Sequence, residues 1–168
     1  MPAEGPGRML ASEMEPAIAR NIAHASHAGQ RDRFGEPRIE HIERVAAAVP
    51  EEVRALAFLH DVLEHTGTTA AELAAAGLTP VDLAALQLLS RGQDESFEAH
   101  ALRVAHAQGP EGRLARTIKL ADLADHLGHP QIPDGAPPYA WALRHVAIAQ
   151  ARRGGDSADR ADRAGRAA

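Results

Sequence analysis

Cysteine is absent from the 168 residues, and aromatic side chains make up only 3% of them. Without thiols there is no disulfide framework and no thiolate metal site, and a reducing cytoplasm is the expected setting. Few aromatics and abundant alanine favour close-packed helices over strands. No apolar run approaches the roughly 20 residues of a membrane-spanning helix. The opening MPAEGPGRML lacks the apolar core of a signal peptide. Basic charge is not in excess either: 18 Lys and Arg against 23 Asp and Glu leave a formal charge of -5. Neither a general grip on nucleic acid nor a polybasic membrane patch is expected from that balance.

What is present is helical period, in a length that suits one domain. The pattern predicts helices over about 15–28, 39–49 and 51–65, two short ones opened by Thr69 and Thr79, and three more over 96–108, 111–127 and 138–153. TAAE at Thr69 reads as a capping box, and Thr79-Pro80 as an N-cap followed by proline at the first helical position. The glycine-rich loop GQRDRFGEP follows the first helix, and the linker GHPQIPDGAPP, with four prolines, is irregular. The expectation is an all-α globule of seven or eight helices over 11–153. Residues 1–10 and the tail 154–168, which has nothing large to bury, are expected to be disordered.

Ten histidines are more than average composition supplies, and two stand in an awkward place. In AFLHDVLEHT, residues 57–66, a helix interior carries His60, Asp61, Glu64 and His65. An uncompensated buried charge costs on the order of several kcal/mol, comparable with the whole stability of a domain. Val53, Leu56 and Ala57 form a buried i, i+3, i+4 stripe, and the same spacing continues to His60, Asp61 and Glu64. On the helix over 111–127, Leu114 and Ile118 lead on to Asp122, with Asp125 and His126 one turn beyond. Two buried stripes ending in acids and imidazoles need something positive between them. An arginine paired with the His60-Asp61 corner would serve for one helix alone. The ordered set His41, His60-Asp61 and Asp122 favours a divalent cation instead.

The segments HAGQRDRFGEPRIEH, AFLHDVLEHT and TIKLADLADHL resemble the HD superfamily of metal-dependent phosphohydrolases. Within it they are most similar to the (p)ppGpp hydrolase domain of RelA/SpoT-type proteins and its small stand-alone relatives. The resemblance runs from about residue 22 to 149 and implies an HD-domain helical bundle. Carried over residue by residue, it implies His41, His60, Asp61 and Asp122 as ligands of one divalent metal, with Mn²⁺ the ion such relatives generally use. A nitrogen-oxygen site without sulfur suits manganese and also tolerates iron or zinc. Glu64 matches the catalytic carboxylate, and His65 beside it, where relatives carry an acid, is the second expected catalytic residue. Arg31 and Arg33 lie in the nucleotide-contacting loop, though for each taken singly a solvated loop is the better account. Arg38, Lys119 and His126 complete the expected substrate contacts, with a surface role for Lys119 as the plain alternative.

Four positions depart from the resemblance: Asp32-Arg33 replaces an Arg-Lys pair, Arg38 a tyrosine, His65 an acid and His126 an asparagine. Bifunctional relatives continue into a synthetase domain, for which this sequence has no room. The implied activity is cleavage of the 3'-pyrophosphate of (p)ppGpp. Hydrolysis of another nucleotide phosphate such as NADPH stays open beside it, as does an HD-fold protein that binds a nucleotide without turning it over. The expected partner is a small-molecule nucleotide, with no nucleic acid and no membrane, and a homo-oligomer is left open.

Overall fold

The computed structural model describes residues 13–166. Among them are α1 (Pro16–Ser26), α2 (Arg38–Ala48), α3 (Glu51–Leu59), α4 (Val62–His65), α5 (Ala70–Ala75), α6 (Pro80–Leu89), α7 (Phe97–His106), α8 (Gly109–Leu127) and α9 (Pro137–Arg166). No strand occurs among the described residues; an isolated bridge joins Arg31 to Pro37. None of these helices is long and apolar enough to cross a membrane. The expected disorder of residues 1–10 falls outside the described residues.

The start signals act as the sequence suggests. Thr69 and Thr79 each form a capping box, with Glu72 and Asp82 respectively, and Ser96 accepts from the Ala99 N–H. Each such cap is worth about 1 kcal/mol.

Two departures matter. The helix expected over 51–65 is interrupted: α3 ends at Leu59, His60 donates its N–H to Ala57, and α4 restarts at Val62. This interruption splits one of the seven or eight expected helices into two segments, giving nine helical segments among the described residues. The last helix runs on to Arg166 instead of stopping near Arg153. Gly154 and Gly155 weaken it by only about 1 kcal/mol each, and the alanine-rich stretch beyond contains no proline to stop it.

α8 is the central element, packed against α2, α3, α6, α7 and α9. Its Leu114, Ala115 and Ile118 join the larger apolar cluster, shared with α1, α2, α3 and α6. Leu123 joins a smaller one with Ala101, Ala105, Ala142 and Val146 from α7 and α9. Tyr139 and Trp141 pack against that second cluster. Each fully buried Leu or Ile contributes roughly 1.5–3 kcal/mol, so these clusters hold α8 rigidly from both sides. Asp122 lies at the seam between them, beside Leu123.

Candidate metal centre and its cavity

Three elements converge on the seam. α2 supplies His41, the corner between α3 and α4 supplies His60 and Asp61, and α8 supplies Asp122. Adjacent residues of a continuous helix diverge by about 100°. At the interrupted corner, His60 Nε2 and Asp61 Oδ1 instead come within 3.4 Å. His41 Nε2 lies 3.3 Å from Asp122 Oδ1. His41, His60 and Asp61 offer donor atoms all within 4.8 Å of one another, and so do His41, Asp122 and His126. The four implied ligands are thus brought together, three of them buried and Asp61 half-buried.

The donor set fits a divalent cation, because one of its buried donor atoms, His60 Nε2, is otherwise left unmatched. His60 Nδ1 lies 2.7 Å from the Ala57 carbonyl, which can only accept, so Nδ1 carries the proton. That leaves the Nε2 lone pair facing inward, buried, with no hydrogen-bond partner among the described residues. An unmatched buried acceptor is costly, and a cation removes the cost. His41 faces a carboxylate at each ring nitrogen: Asp125 Oδ2 at 2.7 Å from Nδ1, and Asp122 beyond Nε2. A neutral ring has one proton and cannot serve both. Either the ring is charged or a cation stands between Nε2 and Asp122.

The charge balance follows from this crowding. Burial opposes a charged His41, but hydrogen bonds to Asp122 and Asp125 outweigh it and raise its pKa to about 10. Burial likewise pushes the Asp61 carboxyl up, while the His60 and His41 imidazoles pull it down to about 2 overall. Asp122 is held well below the ordinary carboxylate range by Lys119 and the two imidazoles, against its burial. A metal ligand must present a free Nε2, so an ion can bind only by expelling the His41 proton. Metal affinity is therefore expected to rise about tenfold per pH unit between about pH 7 and 9. Without metal, the stabilisation from protonated His41 is complete below 6.5 and lost as pH rises through about 10. Titration calorimetry at several pH values, with buffers of different ionisation heat, counts the released proton. A pH-independent affinity would contradict this balance.

Supporting groups surround the four implied ligands, and of these Arg44 and Glu36 carried no signal in the sequence. Asp125, one turn after Asp122, orients His41 through Nδ1. Arg44 holds Asp125 at 2.7 Å and also reaches Glu36 at 2.9 Å, tying the loop before α2 to the ligand. Lys119 is no surface lysine: it is 9% exposed, and its Nζ sits 2.7 Å from Asp122 Oδ2. Arg38 gives Asp61 an arginine partner at 2.8 Å through Oδ2. The ion-pair reading of the HD corner is thus realised on one carboxylate oxygen, while Oδ1 still faces His60. The i+3 spacing of Asp122 and Asp125 was the available signal for the supporting carboxylate.

These groups line a cavity of about 490 Å³, within the range of small-molecule sites. Glu64 and His65 line it too. Glu64 accepts the Arg91 N–H at 2.9 Å, and His65 Nε2 is 3.6 Å from Glu64 Oε1. Glu64 stands outside both groups of potential ligands. Arg33 reaches the wall by donating to the Tyr139 hydroxyl at 2.6 Å, and its guanidinium lies 4.7 Å over the Phe34 ring. Phe34 in turn stacks on His129.

Two of the expected substrate contacts are engaged by the protein itself. Arg31 is not part of the cavity wall; its guanidinium is turned back onto the Gly35 carbonyl. His126 does line the cavity, but its Nε2 points at Asp122 Oδ1, 3.2 Å away. Asp32 also has a structural task, because its Oδ1 accepts the N–H groups of Phe34 and Glu36. The loop can turn this tightly because Gly29 and Gly35 adopt φ of 74° and 83°.

Comparison with solved structures identifies the fold. A structure of a metazoan ortholog of SpoT, described as hydrolysing ppGpp and playing a role in starvation responses, is 20% identical. The likeness covers 88% of this chain and 88% of that one, with a TM-score of 0.61. No protein-family model and no curated protein matches the sequence. The chain therefore shares the all-α fold of that structure, and its buried His-Asp cluster has the composition to hold a divalent metal.

Proposed function

We propose that the protein is a divalent-metal-dependent phosphohydrolase of a phosphorylated nucleotide. The substrate in this reading is (p)ppGpp, cleaved at the 3'-pyrophosphate to GDP or GTP and pyrophosphate. The observation that carries it is the unpartnered Nε2 of buried His60, clustered with His41 and Asp61 in a fold shared with a structure described as a ppGpp hydrolase. Manganese is the proposed ion. Bound there, it would polarise a phosphoryl oxygen and make water more acidic.

The chain's own groups divide the remaining work. His41, His60, Asp61 and Asp122 hold the ion, and Lys119 and Asp125 hold two of those ligands in place. Glu64, restrained by the Arg91 N–H, takes the proton of the attacking water, and His65 beside it relays that proton. The water oxygen bonds to the phosphorus carried by the ribose 3'-oxygen. The bond between them breaks, the 3'-oxygen is protonated and pyrophosphate leaves. Arg33 and Arg38 supply positive charge for the phosphates, and the Phe34-His129 stack offers a flat face to a base.

The test is a panel of ppGpp, pppGpp and NADPH incubated with manganese, scored for pyrophosphate against phosphate. Pyrophosphate from ppGpp is the expected result. Cleavage of NADPH alone would overturn the substrate, and binding without cleavage would make this a nucleotide-binding protein.

Asp32 places a negative charge on the wall that a polyanion must approach. Asp32→Asn keeps an oxygen for the two loop N–H groups and removes the charge. KM for ppGpp is expected to fall roughly fivefold, the size of a 1 kcal/mol interaction, with kcat little changed. Steady-state kinetics check this; an unchanged KM would mean that Asp32 lies away from the phosphates.

A further inference from the structure

We propose that His126 is a fifth protein ligand of the metal, through Nε2, and that it shifts the site's preference from manganese toward cobalt and zinc. This rests on the metal centre proposed above and adds a residue to it.

The first argument is distance. Donor atoms bound to one ion at about 2.1 Å lie roughly 3.0–3.4 Å from each other, whether the angle is square or tetrahedral. His41 Nε2 to Asp122 Oδ1 is 3.3 Å, and His60 Nε2 to Asp61 Oδ1 is 3.4 Å. His126 Nε2 to Asp122 Oδ1, at 3.2 Å, belongs to the same set. His126 also shares a group with His41 and Asp122 in which all donor atoms fall within 4.8 Å.

The second argument is the other demand on Asp122. Its Oδ2 is taken by Lys119 at 2.7 Å, so both imidazoles approach the single oxygen Oδ1. His41 cannot serve a second ion, because its Nδ1 is committed to Asp125. The two groups share His41, and in this proposal they gather round one ion.

The third argument is that the ring is held in position. His126 is stacked between His41, with centroids 4.8 Å apart and planes 30° apart, and Tyr139 at 5.2 Å and 27°. One helical turn separates it from Asp122 along α8, which aims Nε2 at the shared oxygen. A third imidazole makes the donor set richer in nitrogen, and nitrogen-rich sites favour cobalt and zinc over manganese more strongly than carboxylate-rich ones.

Pulsed electron paramagnetic resonance of the Mn²⁺-loaded protein counts coordinated imidazole nitrogens without reference to activity. Three are expected in the wild type and two in His126→Asn, which keeps a polar amide beside Asp122. Competition between Co²⁺ and Mn²⁺ should show a larger cobalt preference in the wild type than in the variant. Two nitrogens already in the wild type would overturn the assignment and leave the four-ligand centre standing. An ion coupled to no nitrogen would overturn the metal centre itself, and this role with it. The wild-type count decides the matter even if the variant folds poorly.

Discussion

Replacing His60 with alanine is expected to reduce bound divalent metal from about one ion per chain to none, with hydrolysis lost alongside it. His60 commits Nδ1 to the Ala57 carbonyl, so Nε2 has no other task than the one removed. Asp122 makes the same point but calls for a different substitution. Alanine there would strand Lys119, buried, without its carboxylate, a change that costs on the order of 3–5 kcal/mol. Asp122→Asn keeps an oxygen for Lys119 and is the variant to use. Metal analysis after dialysis, with circular dichroism as a check of fold, gives the readout. Folded variants that keep full metal occupancy would show that these residues are not ligands.

Glu64→Gln is expected to separate metal binding from turnover. The amide retains the side chain's shape and can still accept the Arg91 N–H, but it cannot take a proton. A general base contributes typically 10²–10⁴-fold, so kcat should fall by at least about 10²-fold while metal content stays as in the wild type. The structure sharpens this expectation, since Glu64 shares the cavity but stands outside the clustered donors. Loss of metal in Glu64→Gln would make it a ligand. Unchanged kcat would hand the proton to another group, with His65 the nearest.

How much of this was legible in the sequence depended on whether the information was local. Thr69 and Thr79 announced their helices because a capping box needs only four consecutive residues. His60, Asp61 and Asp122 announced themselves because periodic stripes ran into them from Val53 and Leu114. The break between α3 and α4 was not legible, since AFLHDVLEHT has no proline or glycine and propensity favours an unbroken helix. Lys119 was ambiguous for a related reason: helical spacing gives its distance from Asp122, but only tertiary packing decides whether that face is wet.

Contacts between distant segments were the least visible. Asp125 meets His41 across 84 positions, and Arg33 meets Tyr139 across 106, and no local pattern encodes either pairing. Arg31 shows the reverse case, a residue marked by resemblance whose local turn decides its direction. Its place in a nucleotide-contacting loop was inferred from resemblance, yet the glycine turns send its side chain back onto Gly35. The C-terminal stretch was misjudged because low apolar content was weighed above helix propensity.

Anomalous diffraction from crystals soaked in manganese tests the central claim most directly. The account predicts one strong peak per chain in the seam beside α8, within coordination distance of His41, His60, Asp61 and Asp122. Asp32, Glu36 and His129 form a further group with donor atoms within 4.8 Å of one another, which makes an internal control. Glu36 is there engaged by Arg44 and Asp32 by loop N–H groups, so that group should stay dark. A peak at Asp32, Glu36 and His129, with none at the seam, would contradict the account.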